Sequence, residues 1–119
     1  MLNVLFVVII GFITIAIFDA IGAILSRKLN FNYALLTIGS ISIYATIAVY
    51  TAIYGGILIG IISSFLMGLF DATVGLKISE KFKANIPDKS ITFKIDFKTV
   101  FAVSIFATVI GTIAILLIL

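Results

Sequence analysis

Long apolar runs separated by short polar segments dominate the pattern along this chain. Four runs reach the roughly 20 residues that an α-helix needs to cross a bilayer. They cover about Leu2–Leu25, Tyr33–Tyr54, Gly56–Leu76 and Thr99–Leu119. Apart from two aspartates, no charged residue lies inside them. The pattern predicts an all-α integral membrane protein with four transmembrane helices in a single domain, residues 1–119.

Composition excludes a soluble globular domain. The chain is 63% hydrophobic and 11% charged, whereas soluble domains are about 45–50% apolar and about 25% charged. The sequence has no cysteine, so disulfide and thiol chemistry are excluded. It also has no histidine, the usual general base and the commonest metal ligand. We therefore expect no cofactor, no metal site and no enzymatic activity.

The distribution of cations predicts the orientation. All eight Lys and Arg side chains lie between the first and second runs or between the third and fourth. Because basic loops stay cytoplasmic, both termini should lie outside. The frequent Ile, Lys and Asn are typical of an AT-rich genome, and no targeting sequence is seen. These features predict a multi-pass protein of a prokaryotic plasma (inner) membrane.

A repeated motif divides the chain into two halves. Phe18-Asp19-Ala20 and Phe70-Asp71-Ala72 are separated by 52 residues, and the Gly, Ser, Lys and Asn that follow each motif match at an offset of 53. The match predicts two tandem two-helix repeats, residues 1–54 and 55–119, in parallel orientation about a pseudo-two-fold axis along the membrane normal. Chance similarity between apolar sequences is the alternative.

The two aspartates are the leading candidates for a functional site. A charged side chain in hydrocarbon costs roughly 2.5–3.5 kcal/mol on insertion scales, so such groups commonly serve a function. At about 1.5 Å per residue, Asp19 and Asp71 should both lie roughly 9–10 Å inside the cytoplasmic boundary. At one level they could share a proton or cation, which would relieve their repulsion. Alternatively, each could reach the interface or bind a neighbouring helix.

Hydroxyl groups on the second helix extend this candidate site. Ser and Thr side chains in a helix can donate to the carbonyl four residues earlier, so most of them need no other partner. Tyr44 has no such local acceptor and is expected near mid-membrane. We therefore include Tyr44 and Ser40 with the aspartates in an ion-, proton- or substrate-binding site.

Small residues recur every four positions in the third run. Small side chains in this register let transmembrane helices approach closely. They predict a helix-packing face, with a conduction path lined by glycine backbone as the less favoured interpretation. The residues of this face are Gly56, Gly60, Ser64, Gly68 and Ala72.

The polar segment Lys77–Lys98 predicts contact with lipid headgroups. It has six lysines against three acids and is expected to form a basic cytoplasmic loop. Its period-two alternation from Ile91 to Lys98 predicts a short strand. The basic character suits anionic lipids, whereas the lack of arginine argues against nucleic acid. The predicted headgroup ligands are Lys77, Lys81, Lys83, Lys89, Lys94 and Lys98.

Transport or permeation of a cation or a proton-coupled small solute is the function that these features favour. Four short helices can hardly enclose a wide pathway, so we expect a homodimer or larger oligomer, or a partner membrane subunit. The alternative is a non-catalytic accessory, scaffold or lipid-binding subunit. An intramembrane aspartyl hydrolase, with the aspartates sharing a proton, is a distant third. The residues resemble no known family.

Overall fold

Four long helices make up most of the residues that the structure describes. A computed structural model describes residues 2–82 and 97–119, except the side chains of residues 33 and 34. Each long helix is apolar enough to cross a membrane, and the described residues contain no strand. A 3₁₀ turn, Tyr33–Leu36, precedes the second helix. The helices are α1 (Leu2–Leu29), α2 (Thr37–Gly55), α3 (Ile57–Lys81) and α4 (Phe97–Ile118).

The helices extend beyond the apolar runs that predicted them. α1 continues to Leu29 and α3 to Lys81, so part of the predicted basic loop is helical. Hydropathy detects only the apolar part of a helix, whereas charged residues are equally compatible with its last turns. The predicted strand is wrong at Phe97 and Lys98, which begin α4. The rest of that prediction, residues 91–96, lies outside the described residues.

One turn of α3 departs from α-helical geometry. Residues Asp71–Gly75 form a π turn, in which the backbone N–H of Leu76 donates to the carbonyl of Asp71, five residues earlier. Single π turns inside α-helices are rare and frequently lie at functional sites. This turn falls where the offset between the two aspartate motifs changes from 52 to 53. α1 remains α-helical around Asp19.

The helices do not pack equivalently in the two halves. Helices α2, α3 and α4 each contact the other two, whereas α1 lies against α2 and mainly the second half of α3. Among the described residues, α1 makes no contact with α4. The pseudo-two-fold axis therefore stays a prediction.

Small residues of α3 form its contacts with α2 and α4. Gly60 and Gly68 are buried, as are Ser64 and Ala72. A methyl group added to Gly60 would lie 2.8 Å from the carbonyl oxygen of Ala48. Such separations require backbone contact without an intervening side chain. Gly60 and Gly68 therefore lie where α3 closely approaches α2 and α4.

Gly56 is a correction to the predicted packing face. It is exposed, and a methyl group added to it would meet nothing within 4 Å. Its φ of 97° lies in a region that L side chains rarely adopt. Gly56 therefore connects α2 to α3 through a tight turn, and the four-residue spacing is coincidental there.

Hydroxyl groups inside the bundle bond to their own helices, as the sequence predicts. In α4, Ser104, Thr108 and Thr112 each donate to the carbonyl four residues earlier, at 2.8 Å. These hydroxyls are satisfied locally. They therefore provide small inward-facing groups without requiring partners on other helices.

We expect Gly68→Ala to destabilise the bundle by about 1–3 kcal/mol, the usual cost of overpacking a close contact. The added methyl would lie 2.9 Å from both the Cα of Ser104 and the carbonyl oxygen of Val103, and this backbone cannot move independently of α4. Thermal unfolding in detergent measures the loss. Ala102→Leu, which adds bulk at an exposed position of α4, is the control. Equal stability of both variants would contradict the close contact.

Candidate functional site

Asp19 is buried inside the bundle although it belongs to an apolar helix. Its side chain is 4% exposed, and it lies on the face of α1 that includes Ile15, Gly22 and Ser26. This face packs against α2 and the second half of α3. Asp19 therefore points into the protein and does not reach outward to lipid headgroups.

Asp19 and Asp71 converge on the backbone of Gly75. A methyl group added to Gly75 would approach Oδ2 of Asp19 and Oδ1 of Asp71 to less than 3.0 Å each. Both carboxylates therefore border the space of a single missing side chain. The sequence predicts that the two aspartates meet at one level, and the structure brings them together.

Tyr44 joins the pair from α2. Its hydroxyl donates a hydrogen bond to Oδ2 of Asp71, and its side chain is only 2% exposed. Oδ1 of Asp71 faces Gly75 while Oδ2 accepts this bond, so the carboxylate connects α2 with the π turn of α3. The sequence predicts that Tyr44 has no acceptor on its own helix. In the structure its acceptor is Asp71, which belongs to the same predicted site.

A cavity of about 200 Å³ adjoins the two aspartates. It lies between α1, the beginning of α2, the π turn and following residues of α3, and the beginning of α4. Leu36, Leu76 and Val103 add apolar surface to its lining. Its polar side chains are Asp19, Thr37, Ser40, Asp71, Ser79 and Thr99.

The arrangement suits a proton or a small cation. Two unit charges about 4 Å apart repel by about 4 kcal/mol at an effective dielectric constant of 20. Placing a proton or a cation between Asp19 and Asp71 would remove this repulsion. Within residues 2–82 and 97–119, no group of three or more His, Cys, Asp or Glu side chains is assembled for a metal. The available donors are two carboxylates and neutral hydroxyls.

The remaining predicted residues lie at different distances from this pair. Ser40 lines the cavity and is half-buried. Lys77, Lys81 and Lys98 are exposed. Lys77 forms an ion pair with Glu80 at 3.6 Å. Lys83, Lys89 and Lys94 lie outside the described residues.

Sequence reasoning missed Gly75 as part of the site. In the sequence, Gly75 is one of the matched residues that follow the second aspartate motif and lies close to the predicted packing face. Its role depends on the absence of a side chain where two carboxylates approach, which a single sequence does not reveal. The position of Gly75 within the repeated motif was nevertheless an available signal.

No protein-family model, curated protein or solved structure matches this chain. Its function is therefore inferred from the geometry and chemistry of its own residues.

Tyr44→Phe should destabilise the protein by about 0.6–2 kcal/mol, the range for hydrogen bonds between transmembrane helices. The change removes the donor to Asp71 and leaves the aromatic ring. Thermal unfolding in detergent measures the effect. Tyr50→Phe removes the same atom from a half-exposed side chain and serves as the control.

A double-mutant cycle tests the bond itself. In an Asp71→Ala background, Tyr44→Phe should cost nothing further, because the acceptor is gone. Additive losses in the double variant would show that the two side chains are not coupled.

Proposed function

We propose that this protein is a small multi-pass membrane protein that moves a proton, a cation or a cation-coupled small solute across the bilayer. The convergence of Asp19 and Asp71 on Gly75, beside a cavity, is the observation that carries the proposal. Ionisable groups inside a membrane bundle are costly and typically mark ion pathways or proton relays. Here two such groups, Asp19 and Asp71, border the same space beside Gly75.

The location of the cavity supports exchange with one side of the membrane. It lies among the residues that begin α2 and α4 and those that end α3. The same end of the bundle has the exposed cations Arg27 and Lys28 at the end of α1 and Lys77 and Lys81 near the end of α3. By the positive-inside rule, this end faces the cytoplasm and both termini face outward. A prokaryotic plasma membrane is the proposed location.

Assembly of more than one copy is part of the proposal. The cavity beside the aspartates is small, and the described residues extend over only 41 × 25 × 23 Å. A continuous pathway through a bilayer would need polar surface beyond the end of the bundle where the aspartates lie. A homodimer or larger assembly, or a partner membrane subunit, would provide it.

Replacing both aspartates with asparagine should abolish proton- or cation-dependent flux into reconstituted vesicles. Asparagine preserves the shape of the side chain but removes the charge and the exchangeable acid. Flux is measured with a pH-sensitive dye and, in parallel, with sodium and potassium indicators under an imposed potential. Glu80→Gln makes the same chemical change at an exposed acid and should leave flux unchanged.

Two outcomes would contradict the transport proposal. One is undiminished flux through the Asp19→Asn/Asp71→Asn variant. The other is a folded unmodified protein that conducts no proton, sodium or potassium, which would contradict movement of these ions by themselves.

An accessory or lipid-binding role is the second candidate, and the exposed cations at one end favour it. Juxtamembrane Lys and Arg residues attract anionic lipids by about 1 kcal/mol each near the surface. Arg27, Lys28, Lys77 and Lys81 are all exposed. Together they form a basic end that could bind anionic headgroups.

Anionic lipid should raise the melting temperature of the protein in detergent more than zwitterionic lipid does. Lys77→Gln/Lys81→Gln should reduce this difference, because it removes two of the exposed cations at this end. The Lys77→Arg/Lys81→Arg variant keeps the charge and should preserve it. Added salt should weaken the effect by screening, and a salt-independent effect would contradict headgroup attraction.

A further inference from the structure

The two halves align at two different offsets in α1 and α3. At the aspartates, the repeated Phe-Asp-Ala motif fixes the offset at 52. This offset does not hold after the motif. With 52 retained, buried Gly22 would match Val74, which is 46% exposed.

An offset of 53 restores the match after the aspartates. It pairs Gly22 with Gly75 and Ser26 with Ser79, and all four residues are buried. The second half therefore has one residue more than the first between its Asp-Ala and the following Gly. The extra residue lies at Thr73–Val74, inside the π turn.

Helical geometry shows why this extra residue needs a wider turn. Ser26 follows Asp19 by seven residues, which is close to two α-helical turns of about 3.6 residues each. Ser79 follows Asp71 by eight residues, and a regular α-helix would rotate it about 80° away from the aspartate. A π turn closes over one residue more than an α turn, so it returns Ser79 to the buried face.

We infer that α3 carries one inserted residue relative to α1, and that the π turn absorbs it so that Asp71, Gly75 and Ser79 all face the same cavity. The inference rests on the proposed duplication of the chain but not on ion transport. It explains why Gly75 lies between the two carboxylates and Ser79 lines the cavity beside them. Without the wider turn, either Asp71 or the Gly75–Ser79 face would turn outward.

Deletion of Val74 tests this inference, because it removes the extra residue and should convert the π turn into an α turn. Deletion of Ile62, which is equally exposed at 46%, is the matched control. It lies in regular α-helix, where one lost residue rotates the remainder of the helix by about 100°. Monodispersity and melting temperature in detergent are compared for the two deletions.

Cysteine labelling reports the register of the helix directly. The chain has no cysteine, so Ser79→Cys at a buried position and Glu80→Cys at an exposed one are introduced separately into each background. A water-soluble maleimide should react with Glu80→Cys but not with Ser79→Cys. This result is expected both in the full-length chain and after deletion of Val74. After deletion of Ile62, Ser79→Cys should lose its protection or the protein should aggregate.

Three results would overturn the inference. They are loss of protection at Ser79→Cys after deletion of Val74, aggregation of the Val74 deletion, and tolerance of the Ile62 deletion with protection retained. None of these measurements involves flux. A protein that keeps its register but conducts nothing would therefore refute the transport proposal alone.

Discussion

The approach of two carboxylates to one glycine in an apolar bundle is the constraint on which the rest of the structure depends. Gly75 must lack a side chain because Asp19 and Asp71 border the space that its methyl group would fill. Tyr44 donates a hydrogen bond from α2 to the second of these carboxylates, Asp71. Burying charge in a low-dielectric interior is favourable only with such compensation. The site is therefore a set of mutually dependent contacts.

The two aspartates share a sequence motif but occupy different surroundings. Asp19 lies in regular α-helix and is almost fully buried, whereas Asp71 begins the π turn, is half-buried and accepts a hydrogen bond from Tyr44. One additional residue in the second half coincides with this difference. Under the proposed duplication, one added residue would be enough to give two copies of the motif different surroundings.

Sequence patterns predicted the helices and the aspartate pair. They did not predict where α1 and α3 end or that α3 has a π turn at Asp71. Apolar runs identify membrane-length helices because hydrocarbon thickness fixes their length, but the charged ends of α1 and α3 carry no such signal. Alternation misled at Phe97 and Lys98, where a few residues fit either period. The π turn appeared in the sequence only as a change of offset, and its meaning required the burial of Gly75 and Ser79 in the folded chain.

The two aspartates lie on opposite sides of a contact between helices. Helices α2, α3 and α4 pack mutually through small residues, whereas α1 contacts α2 and α3 but, among the described residues, not α4. Asp19 belongs to α1 and Asp71 to the three-helix group. If both carboxylates were charged, their repulsion would act between α1 and this group, and a shared proton or cation would remove it. The pair therefore lies at the contact between α1 and the other three helices.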